Sequence, residues 1–261
     1  MIPFPNIDPV IIKIGPLSIR WYGIMYLIGF SASYFLVRYQ VKKKKIALNI
    51  KEIGSIYSFL ISGLIIGARI GYIVFYNPGY YFENPLKIFA LWHGGMSFHG
   101  GLIGSIVAGI LFCRKSRLDF WQISDLVIVT APIGLGLGRL GNFINGELYG
   151  RITDVPWSMI FPSGGPFPRH PSQLYEFLLE GVAIFTILWL LKNRDLKKGI
   201  LTSLFLILYG MFRFFVEFFR EPDPQLGFIL GPFTMGQILS AIMPSSGMAI
   251  LFLKIRRHKS H

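Results

Sequence analysis

Apolar positions fall into seven long runs, with neither strict alternation nor heptads: Leu17–Val37, Ile53–Tyr76, Phe89–Cys113, Phe120–Leu140, Gln173–Leu191, Gly199–Phe219 and Phe233–Leu253. At about 1.5 Å per residue, each is long enough to cross a hydrocarbon core about 30 Å thick. The pattern predicts an all-α polytopic membrane protein, one integral membrane domain over residues 1–261 with seven transmembrane helices. The longest connection of mixed character, Gly141 to Pro171, is rich in Gly and Pro and is expected to form a small head outside the membrane. Pro3, Pro5, Pro9 and Pro16 precede the first run without a basic cluster, so that run is expected to serve as an uncleaved targeting signal.

The polar connections alternate in character. Four are strongly basic: Arg38 to Lys51, including Lys42-Lys43-Lys44-Lys45; Arg114-Lys115-Ser116-Arg117; Lys192 to Lys198; and Lys254 to Lys259. The others hold Gly, Pro and aromatics with mixed charge. Basic connections stay in the cytoplasm, which predicts the N-terminus outside and the C-terminus inside. Composition fits: 52% of residues are hydrophobic and only 15% charged, yet the formal net charge is +13. So apolar a chain is not disordered. The basic excess would suit nucleic acid on a soluble face, but here it lies wholly in the cytoplasmic connections, so no nucleic-acid partner is expected. The single cysteine, Cys113, excludes a disulfide framework and a cysteine-based zinc site. His93 and His99 are six apart with no HExxH motif, so no metal is expected. No internal repeat suggests an inverted-repeat transporter.

Small residues recur at four-residue spacing: Gly63, Gly67 and Gly71; Ser97, Gly101, Ser105 and Gly109; and, beside the latter, Gly100, Gly104 and Ala108. Such ridges let helix backbones approach where lipid supplies no hydrophobic drive. Gly134, Gly136, Gly138 and Gly141 are denser than packing requires and are expected to open a helix end to a ligand.

Ionisable groups inside a membrane are costly and call for a function. The runs hold Arg69, Arg139 and Arg213 with Glu176, Glu180 and Glu217. Counted from the cytoplasmic ends at about 1.5 Å per residue, Arg69, Arg139, Arg213, Glu176, His99, Tyr22 and Gln237 lie roughly 21–27 Å up, and Glu180 roughly 16 Å. They are expected to meet at the depth of outer-leaflet headgroups, where guanidiniums grip a phosphate in bidentate fashion. Arg213 and Glu217 are four apart and predict an ion pair on one helix face, and Glu176 and Glu180 share a face likewise. Arg69 and Glu180 read as structurally paired groups, Arg139 and Arg213 as ligand contacts.

The most informative stretch is Gly138-Arg139-Leu140-Gly141-Asn142-Phe143-Ile144-Asn145-Gly146-Glu147-Leu148-Tyr149-Gly150-Arg151. It ends a helix with a guanidinium, amides and a carboxylate in a glycine-loosened turn, able to bind an anion and glycerol hydroxyls. The stretch resembles the signature of the prolipoprotein diacylglyceryl transferase family, and about eight fixed positions make a chance match on the order of 10⁻¹⁰. In the same order come Trp21-Tyr22-Gly23, Gly94-Gly95-Met96-Ser97-Phe98-His99-Gly100-Gly101 and His170-Pro171-Ser172-Gln173-Leu174-Tyr175-Glu176. Arg213-Phe214, Glu217, Arg220-Glu221-Pro222-Asp223 and Met235-Gly236-Gln237 complete the set, so the resemblance covers nearly the whole chain. Arg20 departs from it, standing where many relatives are expected to carry His, and so does the late Pro244 in Ala241-Ile242-Met243-Pro244.

The resemblance implies transfer of the diacylglyceryl group of phosphatidylglycerol to the lipobox cysteine thiol of a preprolipoprotein, the first step of lipoprotein maturation. Glycerol 1-phosphate would leave, no cofactor would be needed, and the site would face the outer leaflet of the bacterial cytoplasmic (inner) membrane. The partners implied are phosphatidylglycerol, the preprolipoprotein signal peptide and membrane lipids. For the substrate-binding set, Arg139, Asn142, Glu147 and Gly150 are expected at the headgroup, with Arg213, oriented by Glu217, on the leaving phosphate. For the catalytic set, Arg139 and Arg213 are joined by His99 and Tyr22. His99 reads equally as the base for the thiol or as a structural hydrogen-bonder. Tyr22 reads as a base only if nearby arginines acidify it, and otherwise as an interfacial anchor. Two other classes stay open on residues alone: an anion transporter or channel, and a non-catalytic lipid-binding scaffold. A conduit needs polar residues through its whole depth, and these stop in the outer half.

Overall fold

The structure is a computed structural model that describes all residues except 6, 16, 91–93, 222–227, 231–232 and 257–261. The elements run β1 (Val10–Ile14), β2 (Leu17–Arg20), α1 (Trp21–Lys43), α2 (Ile50–Tyr76), α3 (Pro78–Glu83), a 3₁₀ turn (Pro85–Phe89), α4 (Phe98–Ser116), α5 (Phe120–Ile128) and α6 (Ala131–Ile144). After the head come α7 (Ser172–Glu176), a π-helical stretch (Phe177–Ala183), α8 (Ile184–Leu191), α9 (Ile200–Val216), β3 (Phe228–Leu230), β4 (Phe233–Thr234) and α10 (Met235–Arg256). Helix dominates, as the hydrophobic pattern requires, but the expectation of a purely α fold needs correcting. β1 pairs antiparallel with β2, and β3 with β4.

The expected span limits also shift. Residues 17–20 are strand, residues 89–97 precede the third long helix, and α9 ends before Phe219. The run Phe120–Leu140 is two helices bent by 41°. Pro132 sits in the first turn of α6, where its missing N–H and its ring prevent a continuous helix through Val129 and Thr130. Among the described residues, three helices are long and apolar enough to cross a membrane: Ile50–Tyr76, Ser172–Leu191 and Gly236–Arg256. The bent pair makes a fourth if it counts as one span.

The chain divides into two compact units, residues 37–124 and residues 1–36 with 125–261. In the first, α2 and α4 pack along glycine. A Cβ on Gly67 would stand 2.7 Å from Gly104 Cα, and one on Gly71 2.8 Å from Gly100 Cα. Gly63 meets Gly104 and Ala108 in the same way. The expected ridges therefore interlock, Gly63, Gly67 and Gly71 against Gly100, Gly104 and Ala108. Asn49 caps α2 reciprocally with Glu52, through bonds of 2.8 and 2.7 Å, which satisfies two otherwise orphaned amides.

In the second unit, an apolar core of Val129, Ile184, Leu188, Leu201, Phe205 and Tyr209 lies among α6, α8 and α9. Asp125 caps α9 from a distant point in the chain, accepting from Gly199 N, Thr202 N and Thr202 Oγ1 at 2.7–2.8 Å. The head, residues 145–171, packs Met159 and Phe161 against Phe143 at the end of α6 and Phe4 of the N-terminal segment.

Candidate active site

The glycines of α6 decide what can approach Arg139. A Cβ on Gly29 of α1 would lie 2.9 Å from Gly134 Cα, and one on Gly136 would lie 3.0 Å from Gly181 Cα in the π-helical stretch. Gly138 leaves room for the Tyr26 hydroxyl, and Gly141 lies against the Tyr22 ring. Gly136 and Gly141 thus each admit a neighbouring segment, whereas a Cβ on Gly134 would meet nothing within 4 Å and one on Gly138 only the Tyr26 hydroxyl at 4.0 Å, so open space remains along this face of α6. The close approaches bring α1 and the π-helical stretch against α6.

Around Arg139 lies a cluster of guanidiniums and carboxylates. Glu176 and Glu180 are wholly buried. Arg139 Nε pairs with Glu176 Oε2 at 2.9 Å, and Arg139 Nη2 donates to Glu180 Oε2 at 3.4 Å. Arg213 Nη1 donates to Glu176 Oε1 at 2.7 Å, while Arg213 Nη2 pairs with Glu217 Oε2 at 2.9 Å. Arg220 Nη1 stands 3.8 Å from Glu176 Oε1. Three arginines face three glutamates, and Glu176 touches all three cations. The expected Arg213–Glu217 pair is present, and Glu176 and Glu180 both reach Arg139. However, Arg139 and Arg213, expected to be kept for a ligand, are ion-paired. They are not sealed off, since their side chains remain 17% and 12% exposed.

Arg220, which stands just beyond the sixth apolar run, belongs to this cluster as well. Its signal was legible: Arg213, Glu217 and Arg220 follow an i, i+4, i+7 spacing that continues one helix face. Gly236, in the first turn of α10, is the other omission. A Cβ there would stand 2.7 Å from Glu217 Cδ, so the residue leaves space for that carboxylate.

Beside Arg139, the chain leaves α6 through a tight turn with Gly146 (φ 65°) and Leu148 (φ 57°) in the left-handed region. Asn142 and Asn145 both donate to Glu147 Oε1, at 2.8 and 3.1 Å. Gln173 Nε2 holds the Glu147 carbonyl at 2.7 Å, and Ser172 Oγ holds that of Leu148 at 3.0 Å. Asn142 is buried and Glu147 exposed, so the pair presents a carboxylate on a fixed amide support. Gly150 is buried between the Phe219 and His170 backbones, where its N–H donates to the His170 carbonyl at 2.8 Å. It joins the head to the end of α9. His170 Nδ1 lies 3.0 Å from the Tyr175 hydroxyl, which accepts from Trp157 Nε1 at 2.7 Å. Burial holds the His170 pKa below the ordinary imidazole value.

Tyr22, in the first turn of α1, pairs its hydroxyl with that of Tyr26 at 3.1 Å. His99 and Arg69 belong to the other unit. His99 is exposed in the first turn of α4, whose N-cap is Ser97. Arg69 was expected in an ion pair; it is buried and donates instead to the carbonyls of Lys87, Ile88, Ala90, Gly94 and Gly95 at 2.6–3.2 Å. His93, Pro222 and Asp223 lie outside the described residues.

Comparison with known proteins agrees with the motifs. Residues 9–253 match the family model described as prolipoprotein diacylglyceryl transferase. A phosphatidylglycerol–prolipoprotein diacylglyceryl transferase of Desulfotalea psychrophila is 54% identical, over 98% of this chain and 96% of its own. One of Geobacter sulfurreducens is 53% identical over 97% and 98%, and one of Francisella tularensis 50% identical over 99% and 98%. With motifs, family model and full-length relatives in accord, the chain belongs to the prolipoprotein diacylglyceryl transferase family.

Proposed function

We propose that this chain transfers the diacylglyceryl group from phosphatidylglycerol to the lipobox cysteine of preprolipoproteins at the cluster around Arg139. The observation that carries the reading is the pair Arg139 and Arg213, whose side chains stay partly exposed while one buried carboxylate, Glu176, holds both. In the reaction, the cysteine sulfur forms a bond to the glyceryl carbon that bears the phosphate. The carbon–oxygen bond to phosphate breaks, and glycerol 1-phosphate leaves with the electron pair. The thiol proton must go to a base, since a cysteine of pKa about 8.5 is only a few per cent thiolate at neutral pH. Negative charge grows on the departing phosphate, and fixed guanidiniums stabilise it without reorganisation. Arg213, turned by Glu217, and Arg139 take that role.

Glu147, supported by Asn142 and Asn145, is suited to accept from the glycerol headgroup hydroxyls. Gly150 acts by docking the head against α9, and Tyr22 by lining α6 at Gly141. By side-chain chemistry His99 is a candidate base for the thiol, and equally a structural hydrogen-bonder. The step balances without a cofactor.

In this reading the chain crosses the bacterial cytoplasmic membrane seven times, with the N-terminus outside and the basic connections in the cytoplasm. Head and cluster lie at the outer leaflet, and both substrates enter sideways from the bilayer. What supports this topology is the alternation of basic and mixed connections.

The deciding experiment combines purified protein, labelled phosphatidylglycerol and a lipobox peptide. Thioether product is expected from the wild type and is expected to fall at least about a hundredfold in Arg139→Ala. No product under conditions that activate a family member would overturn the function. Full activity in Arg139→Ala would overturn the site.

A further inference from the structure

The three carboxylates of the cluster are not held alike. Glu176 has cations at 2.9 and 2.7 Å on its two oxygens, and Glu217 has one at 2.9 Å. Glu180, equally buried, has its nearest cation at 3.4 Å on Oε2, and its Oε1 has no hydrogen-bond partner among the described residues. A charge-assisted bond is ordinarily about 2.7–2.9 Å, so Glu180 is the carboxylate whose negative charge the cluster supports least. It sits on the π-helical stretch, a rare geometry often found at functional positions. The groups facing it are Arg139 from α6, Glu176 from α7, and Arg213 and Tyr209 from α9.

Charge counting gives this inequality a purpose. Among the described residues, Arg139, Arg213 and Arg220 balance Glu176, Glu180 and Glu217 in charge. A phosphodiester brings one more negative charge into a site where water screens poorly. Uptake of one proton by a carboxylate restores the balance, and the one that loses least by taking it is Glu180. Protonation also frees Arg139 Nη2, whose only described acceptor is Glu180 Oε2, to turn toward the phosphate.

We propose that Glu180 takes up one proton from solvent when the phosphodiester of the lipid substrate enters the cluster, making it a positioning residue that sets Arg139 for the phosphate. This rests on the lipid-binding part of the reading above. It predicts that binding strengthens as pH falls through the range in which Glu180 titrates in the bound state, because the bound state holds one more proton than the free state.

The test uses the full chain in detergent with labelled phosphatidylglycerol, reading binding and proton uptake separately. Uptake is measured by calorimetry in buffers of different ionisation enthalpy. The wild type is expected to take up one proton per lipid bound, with affinity falling about tenfold per pH unit across the titrating range. Glu180→Gln is expected to bind with no uptake and a flat pH dependence. Glu180→Met, of similar length, serves the same purpose if the amide is not tolerated. Glu180→Asp is expected to restore uptake, and diacylglycerol, which lacks the phosphate, to cause none. Binding without uptake in the wild type would overturn the proposal and leave the transferase reading intact. So would undiminished uptake in both non-titrating variants, or uptake with diacylglycerol. No binding of phosphatidylglycerol would overturn the proposal together with the reading beneath it.

Discussion

The Glu176 carboxylate holds Arg213 by a 2.7 Å hydrogen bond on Oε1 while its other oxygen pairs with Arg139 at 2.9 Å. One buried side chain on α7 therefore fixes the separation of two guanidiniums on α6 and α9. Glu176→Gln keeps the shape but replaces one accepting oxygen with a donor that faces a cation. Its kcat/KM is expected to fall roughly 10²–10³-fold, the scale of losing a preorganised electrostatic contact. Glu176→Ala is expected to cost about 3–5 kcal/mol of stability in addition, as buried charges lose their partner. Transferase kinetics beside thermal unfolding would check both, and unchanged kinetics in Glu176→Gln would contradict the spacer role.

Gly236 gives a sharper probe, because it touches the cluster without carrying charge. A methyl there meets the Glu217 carboxylate and must push it from its place beside Arg213. Gly236→Ala is expected to lower kcat about tenfold or more, with a smaller loss of unfolding temperature than Glu176→Ala. An alanine enzyme with wild-type kcat would show that the Glu217 position does not matter.

The α2–α4 seam tests packing alone. Gly67→Ala and Gly104→Ala each place a Cβ within 3 Å of facing backbone, which has no flexible end to move aside. Each is expected to destabilise the protein by about 1–3 kcal/mol, read as a lowered unfolding temperature in detergent. Gly54→Ala, where nothing lies within 4 Å, is expected to leave it unchanged or slightly raised.

The head carries a pH dependence through His170. Its folded-state pKa lies below the unfolded value of about 6.5, because burial disfavours the imidazolium. The unfolded chain therefore binds a proton that the folded head refuses. Stability is lost as pH falls from about 6.5 toward the lowered folded value and is level above that window. Unfolding temperatures between about pH 5 and 8 are expected to show this slope in the wild type and to lose it in His170→Phe. An identical slope in both would assign it to other groups.

The helices were legible because apolar runs of about 20 residues have few alternatives. Their ends were less so. Residues 17–20 are as apolar as the helix that follows, and only pairing with Val10–Ile14 makes them strand. The Arg213–Glu217 pair could be read because it is local, a matter of four residues on one face. Glu176 could be named from sequence but not placed between Arg139 and Arg213, since that depends on three helices meeting. Arg69 misled for the opposite reason. A buried guanidinium suggests a carboxylate, and nothing local reveals that five backbone carbonyls of residues 87–95 take its place.

The π-helical stretch between α7 and α8 amounts to an extra residue wound into a helix. One residue turns an α-helix by about 100°. Upstream of the stretch, Glu176 points at the arginines; downstream, Ile184 and Leu188 point into the apolar core. Each facing is correct only because the added residue sets the phase between them. Removing any one residue from 177–183 would relax the stretch to α-helix and swing one set away from its target, whichever residue was taken. Apart from Glu180 and Gly181, this segment should accept exchanges of side chain far more readily than a change of length.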